Sequence, residues 1–275
     1  MMTYLSAPVI NEIRPNEITW DEDKNQTKRH MTVGLFIPCY VNQFYPDAGK
    51  ATLQLLQKLG VDVTYPRKQT CCGQPMANSG FEHLSQGCND LFIENFSAFD
   101  YIVAPSASCV LHIKDHLHSH ENEELALTIR NKVYELVEFL TDILNVENLD
   151  ATFPHKVSLH HSCHGLRGLH LAQMSELNSP PYSKPQRLLD MVKGLQQVTL
   201  DRADECCGFG GTFCVAEEAV SVKMGKDRVR DHTKNGAEYI TSSDLSCLMH
   251  LEGILQRSKS EVKIVHIAEI LNSTL

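Results

Sequence analysis

The chain lacks any apolar run long enough to cross a membrane: its longest, residues 33–41, spans about nine positions and is broken by Pro38, where roughly 20 are needed. It is also short of positive charge. Lys and Arg total 25 against 34 Asp and Glu, a formal net charge of −9, whereas nucleic-acid binders show a basic excess or stripe; nucleic acid is not an expected partner. The first thirty residues show no basic start followed by an apolar core, so secretion with paired disulfides is not expected either. What remains is a 275-residue chain, 42% hydrophobic and 21% charged, a composition that excludes disordered and fibrous proteins and leaves room for one or two globular domains.

Cysteine, by contrast, is plentiful, with ten residues. In a reducing cytoplasm, the expected compartment, thiols stay free, and clustered ones are more often metal ligands or redox groups than staples. Their placement follows an internal duplication. Val33-Gly34-Leu35-Phe36-Ile37-Pro38-Cys39 aligns with Val157-Ser158-Leu159-His160-His161-Ser162-Cys163, and Thr70-Cys71-Cys72-Gly73 with Glu205-Cys206-Cys207-Gly208. Residues 100–109, ending at Cys109, align with residues 238–247, ending at Cys247, and residues 135–140 with 266–271. The offset grows from 124 residues between Cys39 and Cys163 to 138 between Cys109 and Cys247, so the second copy carries insertions. The largest, residues 175–185, holds three prolines and reads as a surface loop. The expected organisation is an N-terminal extension at 1–30, polar and in part disordered, a first cysteine-rich repeat at 31–150 and a second at 151–275.

Within each copy the hydrophobic period switches between strand and helix. The first reads as strand 32–37, helix 47–59, strand 61–65, helix 80–97 and strand 100–104; the second as strands at 196–200, 238–242 and 261–265 with a helix over 215–234. Residues 122–147 place Leu125, Ile129, Val133, Leu136, Leu140 and Leu144 at helical spacing and predict one long helix packing one copy on the other. Alternating strands and helices imply an α/β fold of two tandem, related open parallel-sheet domains. Each would carry its Cys…Cys-Cys-Gly…Cys site at the carboxyl ends of the strands, where ligand sites of such sheets form. Two quartets result: Cys39, Cys71, Cys72 and Cys109, then Cys163, Cys206, Cys207 and Cys247.

Four convergent thiolates suit an iron–sulfur cluster or a tetrahedral zinc, with inert buried thiols as the bland alternative. The adjacent cysteines favour a cluster, because neighbours on an extended chain point apart and reach different metals. Gly73 and Gly208 permit close backbone approach and supply amide donors. The glycines of residues 208–211 do not make a dinucleotide fingerprint, since they begin inside the cysteine motif rather than between a strand and a helix.

A cysteine, a Cys-Cys-Gly and a further cysteine, occurring twice, resembles the cysteine-rich domain of heterodisulfide reductases, found also in iron–sulfur subunits of glycolate oxidase and of certain succinate or fumarate reductases. Residues 44–46, 69–75, 206–213, 247–250 and 266–269 resemble the lactate utilisation protein A family more closely, over the chain from residue 31 onward. The resemblance implies an iron–sulfur electron-transfer subunit of a bacterial L-lactate oxidising complex, not active alone, with one 4Fe–4S cluster per repeat on the eight cysteines named and zinc at one site as the alternative. It implies two partners, a ferredoxin-type iron–sulfur protein and a cluster-free subunit, and a cytoplasmic location, peripheral to the inner face of the membrane where those partners attach it. The alternatives are a heterodisulfide-reductase-like subunit that reduces a disulfide at a cluster, and a mixed zinc and iron–sulfur scaffold of another 2-hydroxy-acid oxidoreductase such as glycolate oxidase.

One departure stands out. The heterodisulfide reductase pattern ends each site in Cys-x-x-Cys and supports a noncubane cluster; here Ser106 and Asp244 replace the first of those cysteines. Each is read either as an oxygen ligand or as a helix cap, the cap being favoured. Cys88 reads as core, Cys214 as a small buried thiol or a ligand to the second site, and His160, His161 and His164 as neighbours of Cys163 that act as ligands or hydrogen-bond donors. His112, His116, His118 and His120 are too irregularly spaced for a metal tract.

Overall fold

The computed structural model describes residues 31–274; the proposed extension at 1–30 lies outside the described residues. The first half runs β1 (Thr32–Leu35), α1 (Cys39–Phe44), α2 (Pro46–Lys58), β2 (Asp62–Thr64), α3 (Gln74–Asn78), α4 (Gln86–Phe96), β3 (Tyr101–Ala104), α5 (Ala107–His116), α6 (Glu123–Arg130), β4 (Val133–Glu135) and α7 (Leu136–Glu138). The second runs β5 (Lys156–Leu159), α8 (Lys184–Leu189), β6 (Gln196–Val198), α9 (Phe213–Ala216), α10 (Glu218–Lys234), β7 (Tyr239–Ser242), α11 (Leu245–Arg257), β8 (Lys263–His266) and α12 (Ile267–Asn272).

Both halves make a four-stranded sheet of the same order, β2-β1-β3-β4 and β6-β5-β7-β8, with every pair parallel. Val33 pairs with Tyr101 and, in the second copy, Val157 with Tyr239, so the aligned sequences also share a register. β1 and β3 are short, mainly apolar runs buried along most of their length, as expected for parallel strands covered on both faces, and β7 is as buried but places the hydroxyls of Thr241 and Ser242 inside. Since β1 lies between β2 and β3, the loops leaving all three open side by side at one edge, which is what gathers Cys39, Cys71, Cys72 and Cys109.

The two sheets share a core. Val33, Leu35, Leu55 and Leu56 of the first half and Leu188, Leu189, Ile267 and Leu271 of the second belong to one buried apolar cluster. α2 is built for this: Ala48, Ala51, Thr52, Leu55 and Leu56 form its buried face, and Gln54 and Lys58 bond Asn272 at the end of α12.

Residues 122–147 are not one long helix. The helix stops at Arg130, β4 pairs with β3, and a new helix opens at Leu136. The apolar spacing runs through the break because a three-residue strand between two short helices keeps the same side buried. What decides the conformation is the free edge of β3, which takes Val133, Tyr134 and Glu135 in register with Ile102, Val103 and Ala104. Glu135 then caps α7, accepting from Val137 N at 2.7 Å, as His266 caps α12 by accepting from Ala268 N at 3.2 Å. Among the described residues no helix is long and apolar enough to cross a membrane.

The second half buries more polar chemistry than the first. Arg228, fully buried, donates from Nε to His232 Nε2 at 3.1 Å and pairs with Asp231 at 3.2 Å, while His232 Nδ1 meets Ser158 Oγ at 2.7 Å. Burial, then Arg228, lowers the His232 pKa to about 2, and burial lowers that of His266 to about 4. Both rings are neutral when folded, but the unfolded chain protonates them near pH 6.5. The unfolded state thus binds more protons below that pH, and stability falls with acidification, from pH 6.5 down to about 4 for His266 and further for His232. By pH 5 each histidine should remove about 2 kcal/mol. Denaturant unfolding at pH 7.5 and pH 5 checks this; equal midpoints would contradict it.

Candidate metal centres

Each cysteine follows a strand. Cys39 opens α1 after β1, Cys71 and Cys72 lie in the loop after β2, and Cys109 sits in the first turn of α5 after β3; Cys163, Cys206, Cys207 and Cys247 occupy the same places after β5, β6 and β7. All ten cysteines are free. In each half the cysteines neighbour one another in the same order, Cys39, Cys71, Cys72 and Cys109, then Cys163, Cys206, Cys207 and Cys247. Cys39 and Cys71 are 3.8 Å apart. All eight line a single cavity of about 260 Å³, with Tyr40, Phe209 and the 82% exposed Val215 also on its wall.

The loops are held from below. Gln69 accepts from Ile37 N at 2.6 Å and donates to Leu35 O at 3.0 Å and Pro66 O at 2.8 Å, tying the Cys71 loop to the end of β1 that carries Cys39. In the second half α10 does this work: Asp231 accepts from Asp201 N at 3.2 Å and Arg202 N at 3.1 Å, and Arg228 donates to Arg202 O, fixing the approach to Cys206.

Backbone amides point at the sulfurs. Gly73 N donates to Cys71 and Gly208 N to Cys206, both at 3.4 Å, and Phe209 N donates to Cys207 at 3.5 Å. Hydrogen bonds from Cys39 and Cys72, with that of Gly73 N, lower the Cys71 thiol to about 2; Cys163, Cys207 and Gly208 N do the same for Cys206. Cys39 and Cys163 are pushed up by their bonds to those thiolates and by burial. Cys71 and Cys206 thus receive the hydrogen bonds that favour a thiolate, and taking a metal would release the protons of the remaining thiols.

Gly73 (φ +92°) and Gly208 (φ +88°) adopt the left-handed conformation that this amide geometry needs. A Cβ on Gly208 would stand 2.7 Å from Met224 Cβ and 2.8 Å from Ser221 O. Gly208→Ala should therefore cost about 1–3 kcal/mol in backbone strain alone and weaken metal retention by the second quartet. Thermal unfolding and metal content check it, and unchanged values in both would contradict it.

The structure assigns the remaining residues. Asp244 is fully buried and is a cap: it accepts from Ser246 N at 3.1 Å and Ser246 Oγ at 2.6 Å in α11, and from Ser108 N at 2.7 Å in α5 of the other half. Ser106 stands at the N-cap of α5, its hydroxyl 3.4 Å from Ser108 Oγ and with no other side-chain hydrogen bond among the described residues. Cys214 is half-buried rather than buried and donates to Gly211 O at 3.0 Å, outside both quartets; Cys88 is half-buried on α4. His164 lines the cavity near Gln74, 3.5 Å away. His160 is fully buried, with a ring nitrogen and the Cys207 and Cys247 sulfurs within 4.8 Å of one another.

Two further histidines lie beside the quartets. His112 is buried beside Gly73, stacked on His116 at 4.9 Å and kept neutral by burial, its pKa lowered to about 4. His250 holds the equivalent place near Cys206. The available signal is a Cys-x-x-His in each copy, Cys109 to His112 and Cys247 to His250, which puts both side chains on one helix face.

The donor set fits a thiolate-bound metal group: four sulfurs per site, amides aimed at them, and the positive N-terminal ends of α5 and α11 at Cys109 and Cys247.

Comparison with known proteins agrees. A family model for the CCG cysteine-rich domain matches residues 33–114 and 157–252. Lactate utilization protein A of Bacillus subtilis is 39% identical over 247 residues, covering 88% of this chain and all of the relative. Its namesake in Oceanobacillus iheyensis is 38% identical, covering 88% of this chain and 97% of the relative. A solved hypothetical protein from Helicobacter pylori superposes with a TM-score of 0.54 at 14% identity over 87% of this chain, a likeness of fold alone; this chain spans about half of it, 48%. With the duplicated cysteine motif, the tandem sheets and relatives that align from end to end, the chain belongs to the lactate utilization protein A family of CCG cysteine-rich domain proteins.

Proposed function

We propose that this chain is an iron–sulfur electron-transfer subunit of a bacterial complex oxidising L-lactate to pyruvate. The observation that carries the redox reading is the shared cavity: two thiol quartets line one opening, whereas a structural zinc is closed off by its own ligands. The repeat at 31–150 would hold one 4Fe–4S centre on Cys39, Cys71, Cys72 and Cys109, and that at 151–275 another on Cys163, Cys206, Cys207 and Cys247. Such centres supply one-electron transfer when bound. The chain's own part is to fix the sulfurs through Gln69 and Asp231, aim amides at them, and limit water through the buried walls of Cys72, Cys207 and Cys247.

The lactate assignment rests on the names of the relatives. The partners would be a ferredoxin-type iron–sulfur protein and a cluster-free subunit, in the cytoplasm. The test has two arms. A strain lacking the gene should fail to grow on L-lactate and recover with the wild-type chain, and the isolated holoprotein should not turn over lactate without its partners. Normal growth of the deletion strain, or turnover by the chain alone, would overturn the assignment.

A second reading has an observation of its own. Two thiolates on one tetrahedral ion with metal–sulfur bonds of about 2.3 Å lie about 3.8 Å apart, the separation of Cys39 and Cys71. This favours a single zinc in the first quartet, within a mixed zinc and iron–sulfur subunit.

A further inference from the structure

The two quartets are equivalent in their cysteines and unlike in what stands behind them. Phe36 and His160 hold the same place in the duplication, three residues before Cys39 and Cys163. Phe36 is fully buried in an aromatic nest, edge-on to Phe92 at 5.2 Å and to Phe96 at 5.8 Å. His160 is as deeply buried, 1% exposed, but neither ring nitrogen has a hydrogen-bond partner among the described residues. A ring nitrogen and the sulfurs of Cys207 and Cys247 lie within 4.8 Å of one another. Behind it stand His232, with ring centroids 6.1 Å apart, and the fully buried Arg228.

An imidazole with both nitrogens unsatisfied in a dry site costs free energy that the fold does not recover internally. Its position among two metal-binding sulfurs supplies the missing partner: a metal or a cluster sulfur in the second quartet. Imidazole in place of, or beside, thiolate contributes no negative charge, and nitrogen ligation and N–H donation both favour the reduced form of an iron–sulfur centre.

We propose that His160 acts directly on the metal centre of the second quartet through a ring nitrogen and sets its reduction potential above that of the first, where Phe36 offers nothing. The proposal rests on the iron–sulfur reading above. A shared electron then resides on the second centre, and the duplication, symmetric in ligands, is directional in energy.

The test uses the holoprotein, purified anaerobically, as wild type and His160→Phe, which copies the first half, with His160→Gln as a polar variant of similar reach. Metal and sulfide content is measured first. Pulsed EPR on ¹⁵N-histidine-labelled, reduced protein should then show a nitrogen coupling on one centre of the wild type that is lost in His160→Phe, and a redox titration should show that centre's midpoint shift downward while the other stays. His160→Gln should retain more of the midpoint than His160→Phe. If His160→Phe fails to load the second centre, the coupling in the wild type alone decides. Two loaded iron centres with no such coupling, or with the same midpoints in wild type and His160→Phe, would overturn the proposal and leave the iron–sulfur reading standing. Zinc in the second quartet would overturn the proposal too, and a chain that takes no metal would overturn both.

Discussion

Cys207→Ser should yield a folded chain with about half its iron and sulfide and no growth on lactate, because one quartet is broken and the other is untouched. Cys207 is buried and neighbours both Cys206 and Cys247 while accepting from Phe209 N, so it is the middle of its quartet rather than an edge. A serine hydroxyl fills nearly the same space but is a harder donor that does not ionise near neutral pH, so the fold survives and the site fails. Cys72→Ser, at the equivalent place, should remove the other half. Metal analysis with EPR of the reduced protein checks both. A full complement of metal in either variant would remove that cysteine from the ligand set.

Asp244→Ala should act differently, destabilising the whole chain by about 3 kcal/mol or more and lowering metal content in both quartets. Its carboxylate receives three donors, two from α11 and one from α5, and each buried donor left without an acceptor costs roughly 1–3 kcal/mol. These are the helices that carry Cys247 and Cys109 in their first turns, and Ala107 N also bonds Ser243 O at 3.2 Å across the same junction. Ser106→Ala, with only one long contact to lose, should change stability by less than about 1 kcal/mol. Denaturant unfolding with metal analysis separates a cap from a ligand. If Asp244 were an oxygen ligand alone, the variant would lose the second centre, keep the first and unfold at nearly the wild-type midpoint.

Much of the fold and of the site is legible in the sequence, because a duplication carries its own control. Cys39, the Cys71-Cys72 pair and Cys109 each have a counterpart, and strand-then-cysteine in both copies fixes the parallel sheets and the edge where the thiols meet. Residues 122–147 show the limit of periodicity. Glu135 aligns with His266, whose preceding residues read as a strand, so the duplication points to β4 while the apolar spacing points to a helix. Backbone pairing with β3 settles it, and pairing is a tertiary fact. Gln69 belongs to a stretch that carries the family resemblance, but its reach to three backbone groups depends on loop shape and is not legible there. Asp244 is recognisable as a cap of its own helix, but its bond to Ser108 crosses 136 residues. His160 and Phe36 stand opposite each other in the alignment. Only burial and the lack of a hydrogen-bond partner among the described residues separate a core histidine from one aimed at a metal.

If the two quartets hold redox-active iron–sulfur centres, the holoprotein carries iron and labile sulfide in equal amounts. Anaerobic purification followed by iron, zinc and acid-labile sulfide analysis, with EPR of the reduced holoprotein, measures this. About eight irons and eight sulfides per chain, with signals from two centres, are expected. Zinc in both quartets, without iron or labile sulfide, would contradict the iron–sulfur reading.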